Sequence, residues 1–464
     1  MNFKQVIAPP LLILPLLLSA CGSSSETTDT TDVTDTTDVT DVTDTTDTTD
    51  TSDATDTSSV WIINTTDEVS LNLYETGTNT GSPVNVQSVS TETVDDLEYT
   101  VVAATGIANY QVTLTQDGID ALNARPKAAT DFLSGVTTAQ AGVAFEFGED
   151  IGYNSNSDCT TTGGDGYWPP GPVCPENLSR TGYFPNSPEP ATEEVESGLG
   201  AVGYWVNGTS VYQWGDGQSY NNQGVWQNLA AVAEAYDVDV CGGHAANGDY
   251  HHHFSSTCLG DLVGDEGNGH SPIYGYVADG YAIYGPWHDD GQLALSSWAV
   301  RSYDADSATG CGEAGVRDCQ LVNQYDASEG VEDVTAGPST SDVEISLSGN
   351  SFNTTAGFYF EDHYWDSELA AQGGAYLDQY NGHDHDDLGY HYHVTITING
   401  DTQSPAFPYT IGPLFYGKLQ DNSITATGGV IGGAPVDGDL PECGPEDEPA
   451  EGEAPPDYCV PPAM

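Results

Sequence analysis

The chain has 464 residues, and its 7 basic residues stand against 71 acidic ones, for a formal net charge of −64. A surface so acidic repels a nucleic-acid duplex, which excludes that class of partner, and it attracts cations. With so few Lys and Arg, apolar burial and cross-links rather than ion pairs have to hold the fold.

Residues 1–20 read as an export signal: "MNFKQVIAPPLLILPLLLSAC" has one Lys, an apolar run and small residues before Cys21. The ending "LSAC" resembles the bacterial lipobox. That resemblance implies a lipid on Cys21 and an exported protein held to the membrane through it. Gly22 in the next position implies the outer membrane, at its periplasmic face or the cell surface. No other apolar run is long enough to span a bilayer.

Residues 21–59 form an acidic Thr/Asp tether in which aspartate recurs at every third position from Asp29 to Asp56. Nothing in it can be buried, so it builds no core. A polyproline-II chain would stack the carboxylates about 9 Å apart, near the ~8 Å screening length of physiological salt. Repulsion extends such a chain moderately.

Residues 60–139 change to short β-like runs, "VWII", "VSLNLYE", "VNVQSV", "YTVVAA" and "YQVTLT", separated by Asn, Asp, Gly and Thr turns. This predicts a β-rich N-terminal lobe. One helix is expected in "DGIDALNARPKAATDFLSG", with its Arg-Pro pair marking an early stop. Residues 140–419 form the main domain, rich in Gly and Tyr, with a further helix expected in "VWQNLAAVAEAYDVD". Residues 420–464 are an acidic Gly/Pro-rich tail. The fold class predicted is mainly β with few helices, disulfide-stabilised, with two His-bearing strands.

Apart from Cys21, eight cysteines fall in sequence-near pairs: Cys159/Cys174, Cys241/Cys258, Cys311/Cys319 and Cys443/Cys459. Export favours disulfides, and local pairing closes four short loops, although spacing alone does not fix connectivity. No C-x-x-C spacing supports a thiolate zinc site.

All eleven histidines lie between His244 and His393. "GHAANGDYHHH" (residues 243–253) and "GHDHDDLGYHYH" (residues 382–393) can be overlaid: Gly-His, a short polar loop, then Tyr-His-x-His. On a strand, residues i and i+2 share a face, so His251 pairs with His253 and His391 with His393. A third imidazole completes a three-nitrogen set suited to zinc or copper. His244 and His383 are expected to supply it from loops. His385 and Asp384 are candidates for an extra ligand or an acceptor behind one. In "GHSPIYGYVADGYAIYGPW", His270 and Asp279 are the residues most able to reach a site. Taken singly, His270, His288 and His363 are each expected to be structural rather than ligands. No G-x-S-x-G elbow is present, so a serine nucleophile has no support.

These segments, with "WGDGQSYNNQGVW" and "FPYTIGPLFYG", resemble the bacterial YHYH protein family, named for the pattern Tyr390-His391-Tyr392-His393. In the first copy His252 stands where Tyr392 stands in the second. The resemblance implies an exported domain and supplies no reaction. The function expected from the residues is a lipid-anchored, extracytoplasmic protein whose His-rich domain binds copper or zinc, with calcium a candidate at the acidic loops. The alternatives are a metal-dependent hydrolase or oxidase, with Glu361 and Asp279 as conceivable bases, and a non-metal adhesion or carbohydrate-binding module.

Overall fold

The computed structural model describes residues 57–65, 71–74, 84–108, 110–124, 132–146, 149–152, 177–235, 238–246, 248–345, 351–400, 402–420 and 430–431. The export signal, Cys21, and most of the tether and tail lie outside the described residues. So do Cys159 and Cys174, expected to pair with each other, and Cys443 and Cys459, expected to do the same. Strands dominate, as the turn-punctuated sequence predicts.

The functional region is organised by one eight-stranded sheet. Its strands are β1 (Ala201–Trp205), β2 (Ser210–Tyr212), β3 (His244–Ala246), β4 (Asp249–His252), β5 (Ile273–Val277), β6 (Ala282–Tyr284), β7 (Gly382–Asp384) and β8 (Tyr390–His393). Their order across the sheet is β3-β4-β2-β1-β5-β6-β8-β7. The two halves of that order match. β1–β2 and β5–β6 are antiparallel hairpins, β4 lies parallel to β2 as β8 does to β6, and β3 and β7 close the edges antiparallel.

At the centre β1 and β5 run antiparallel with Tyr204 opposite Tyr276, so the halves are related by a pseudo-two-fold axis perpendicular to the sheet. The hairpin turns repeat as well. Trp205 N–H donates to Thr209 and Gly208 N–H to Trp205. Val277 N–H donates to Tyr281 and Gly280 N–H to Val277. Gly208 and Gly280 have φ of +85° and +92°, which L side chains rarely adopt. At the axis a Cβ on Gly203 would lie 2.2 Å from the Tyr276 carbonyl oxygen, and one on Gly275 2.5 Å from that of Tyr204. Glycine at both positions lets the two halves meet.

The N-terminal strands join this region through a second sheet. Arg180–Pro185 pairs with Leu97–Ala108, which forms a hairpin with Val84–Val94. Trp61 and Phe184 pack against Tyr204 and Tyr276 in the main core. The expected early helix runs over Gln116–Asn123 and stops before Arg125-Pro126. The second expected helix is largely replaced: Gln227–Leu229 is a strand and only Ala230–Ala233 is helical. There Leu229 and Trp214 join an aromatic core with Trp298 and Phe407, and that packing outweighs helical propensity.

The Cys241–Cys258 and Cys311–Cys319 disulfides form as local pairs, with Cα separations of 5.4 Å in each. Cys311 and Cys319 lie near Asp318, but the disulfide consumes both thiolates. Among the described residues three arginines are fully buried: Arg180 against Asp249, Arg317 against Asp362, and Arg301 on backbone carbonyls.

Candidate metal centres

The first centre forms at the β3–β4 edge. His244 on β3 lies directly opposite His251 on β4, and His253 follows two residues on, so three rings share one face. All three are buried. His251 Nδ1 lies 2.8 Å from the Asp249 carbonyl oxygen and His253 Nδ1 2.6 Å from that of Gln213. A carbonyl only accepts, so each Nδ1 carries the proton and each Nε2 is left as a lone pair aimed inward.

Those two Nε2 atoms stand 3.1 Å apart. Glu234 brings Oε2 to 3.0 Å from His253 Nε2 and 3.3 Å from His244 Nε2. Ligand atoms on a tetrahedral zinc, at about 2.05 Å from the ion, are about 3.3 Å apart. A shared proton could bridge one such pair of acceptors, whereas one metal ion satisfies them all. Burial, and then the neighbouring His244 and His253, holds His251 well below the usual imidazole range. Burial alone would raise the Glu234 carboxyl, but positive charge carried by His253 and His244 pulls it well below the usual carboxylate range, and a metal cation on the neutral rings would hold it ionised in the same way.

The second centre repeats this construction at the β7–β8 edge. His383 lies opposite His391. His391 Nδ1 lies 2.8 Å from the Gly389 carbonyl oxygen, and His393 Nδ1 2.7 Å from that of Gly285. Gly285 and Gln213 follow the equivalent tyrosines Tyr284 and Tyr212, which lie over His391 and His251 at 4.4 and 3.7 Å between ring centroids.

Other segments add to the second centre. His270 donates from Nδ1 to the Ser271 carbonyl at 2.9 Å and places Nε2 3.2 Å from His391 Nε2. Ligand atoms of His270, His383, His385 and His391 lie within 4.8 Å of one another, and the His393 ring is 5.0 Å from those of His270 and His391. His288 packs on His385 and His383, at 4.6 and 5.2 Å between centroids. The buried Nε2 of His393 has no hydrogen-bond partner. Burial lowers the imidazole pKa of His383 to about 4 and that of His391 to about 3, keeping both neutral.

Residues 181–400, which hold both centres, match the family model described as YHYH protein. The chain carries a YHYH domain. No curated protein and no solved structure matches the chain.

Within the YHYH domain the two ends of the sheet thus carry His244, His251 and His253 on one side and His383, His391 and His393 on the other. His244 and His383 come from strands rather than loops, because Gly243 and Gly382 let each segment pair across. A Cβ at either glycine would lie 2.5 Å from the hydroxyl of Tyr250 or Tyr390. Asp239 and Asp378 brace these segments alike, accepting from Gly243 N–H and Tyr250 OH, and from Gly382 N–H and Tyr390 OH.

His270 and His385 stand inside the second cluster rather than behind it, and His288 joins them instead of serving only as a polar core residue. Asp279 does not reach either cluster. Tyr392 points to the opposite face from His391 and His393, and its hydroxyl donates to Asp279 at 2.6 Å, with Gly417 N–H donating at 2.9 Å. Asp384, one residue after His383, borders the cavity lined by Tyr376, Tyr390 and Tyr416. Glu361 is buried beside Gln227, whose N–H donates to it at 2.8 Å. His363 packs on Phe407, 4.4 Å between centroids. Glu234 was invisible in the sequence, because only the tertiary fold carries it to the His-x-His strand. The equivalence of "YWVNGTSVYQ" and "YVADGYAIYG" was a legible signal of the repeat that brackets both centres.

Proposed function

We propose that this protein holds divalent transition-metal ions, copper or zinc, at the two ends of its YHYH sheet, and presents them outside the cytoplasm from a lipid anchor at Cys21. One observation carries the metal reading. At both ends, imidazoles whose Nδ1 atoms are bound to carbonyls turn unprotonated Nε2 atoms toward one another at 3.1 and 3.2 Å. Imidazole nitrogen suits copper and zinc, and a carbonyl behind each ring sets the tautomer a metal needs. The carboxylate of Glu234 adds a negative charge at the first centre, and the acidic surface concentrates cations around both.

The anchor rests on the "LSAC" sequence, and the Asp-repeat tether would hold the domain off the membrane surface. The test is metal content by mass spectrometry, on protein made in an oxidising compartment without a histidine tag. Wild type should carry metal, with His251→Ala/His253→Ala and His391→Ala/His393→Ala each losing part of it. Absence of copper and zinc from wild type after reconstitution would sink the reading. For the anchor, Cys21→Ala should move the protein from the membrane to the soluble fraction.

A further inference from the structure

The two ends of the sheet are equivalent in backbone but not in the number of imidazoles. The first centre has three histidines and one glutamate. The second has six histidines, twice the three imidazoles that one ion takes, and their rings can be divided into two triangles, with His383 bordering both. His270, His391 and His393 are separated by 5.1, 5.0 and 5.0 Å between centroids. His288, His383 and His385 are separated by 5.2, 4.6 and 5.4 Å. Three imidazoles bound through nitrogen to one tetrahedral ion at about 2.05 Å place their ring centroids about 5.2 Å apart. Each triangle therefore has the size of a complete three-imidazole set.

The triangles also adjoin. His270 is 4.8 Å from His385, and His383 is 5.1 Å from both His391 and His393. Two ions held in adjoining sets would be neighbours, and two-metal sites hold their ions about 3.5–4 Å apart. Resting on the metal reading above, we propose that the second centre is dinuclear, with His270, His391 and His393 holding one ion and His288, His383 and His385 the other, so that the chain binds three ions and not two. The cofactor class is a pair of like first-row divalent ions, with copper favoured by an all-imidazole donor set. Three protein ligands per ion leave coordination positions for water or an exogenous ligand, unlike the first centre, where Glu234 supplies a fourth donor.

Copper(II) provides the test, because two copper(II) ions this close couple magnetically and lose intensity in electron paramagnetic resonance. The first centre cannot supply that coupling. The two centres lie on one face of the sheet, and five interstrand steps of about 4.8 Å put them about 24 Å apart. The full chain, untagged and reconstituted with copper(II), should bind three ions. His251→Ala/His253→Ala should keep two, with a spin count well below its copper content. His288→Ala/His385→Ala should also keep two, but with a spin count equal to its copper. If His251→Ala/His253→Ala keeps one ion whose spin count equals its copper, the second centre is mononuclear and the two-centre reading survives. If wild type binds no copper, the two-centre reading itself fails. Circular dichroism of each variant separates loss of ligands from loss of fold.

Discussion

Arg180 ties the N-terminal sheet to the strand that carries His251, and its removal should lower metal binding at the first centre alone. Its guanidinium lies 2.7 Å from Asp249 and 2.8 Å from Ser210, with Arg180 1% and Asp249 0% exposed. The backbone carbonyl of Asp249 in turn accepts from His251 Nδ1. Arg180→Met leaves a buried carboxylate without its counter-ion, which costs about 3–5 kcal/mol. For a unit the size of the matched YHYH region, that is a fall in Tm of roughly 6–20 °C. Thermal unfolding and copper content, measured on Arg180→Met, Asp249→Asn and the double variant, form a double-mutant cycle. The double variant should recover most of the loss, since an uncharged pair no longer carries a stranded charge. Copper should fall at the first centre only, because Gly389 stands where Asp249 does and the second centre has no such tie. A cost below about 1 kcal/mol for Arg180→Met, or a double variant as unstable as the sum of the singles, would refute the reasoning.

Chelation should destabilise the folded domain. With free metal at about 1,000 times Kd, one site contributes about 4 kcal/mol, so EDTA should lower Tm by several degrees, and an unchanged midpoint would count against both centres. Tyr392→Phe should cost about 1–3 kcal/mol by leaving the Tyr416 N–H without its acceptor and taking one of three hydrogen bonds from Asp279, which keeps those from Tyr281 N–H and Gly417 N–H, yet leave metal content intact; loss of metal would contradict the assignment of Tyr392 to the opposite face. Burial raises the Glu361 carboxyl from 4.5 to about 7. The folded state then binds the extra proton, so this stabilisation is present below pH ~4.5 and is lost as pH rises through ~7, a swing of about 3 kcal/mol. Glu361→Gln should remove that swing in denaturant titrations at pH 5 and pH 8, and an unchanged pH dependence would exclude Glu361 as its source.

Much of this was legible along the chain. Period-2 alternation placed His251 with His253 and His391 with His393, because strand geometry alone decides which side chains share a face. The overlay of the two Gly-His segments marked a repeat, and the cysteine spacing anticipated the Cys241–Cys258 and Cys311–Cys319 bridges. Tertiary structure decided what local periodicity does not encode. Glu234 enters the first centre from the segment after Gln227–Leu229, where aromatic packing replaced most of an expected helix. His270 and His288 flank the β5–β6 hairpin and reach the second centre only because β6 lies beside β8. Asp279 turned away because the tyrosine it meets, Tyr392, occupies the opposite face of the same strand. The carbonyls that set the tautomers of the two His-x-His pairs belong to Asp249, Gln213, Gly285 and Gly389, and two of these, Gln213 and Gly285, are strand neighbours rather than sequence neighbours. Spacing along one strand determines a face, while the partners across that face are determined by the pairing of strands distant in sequence.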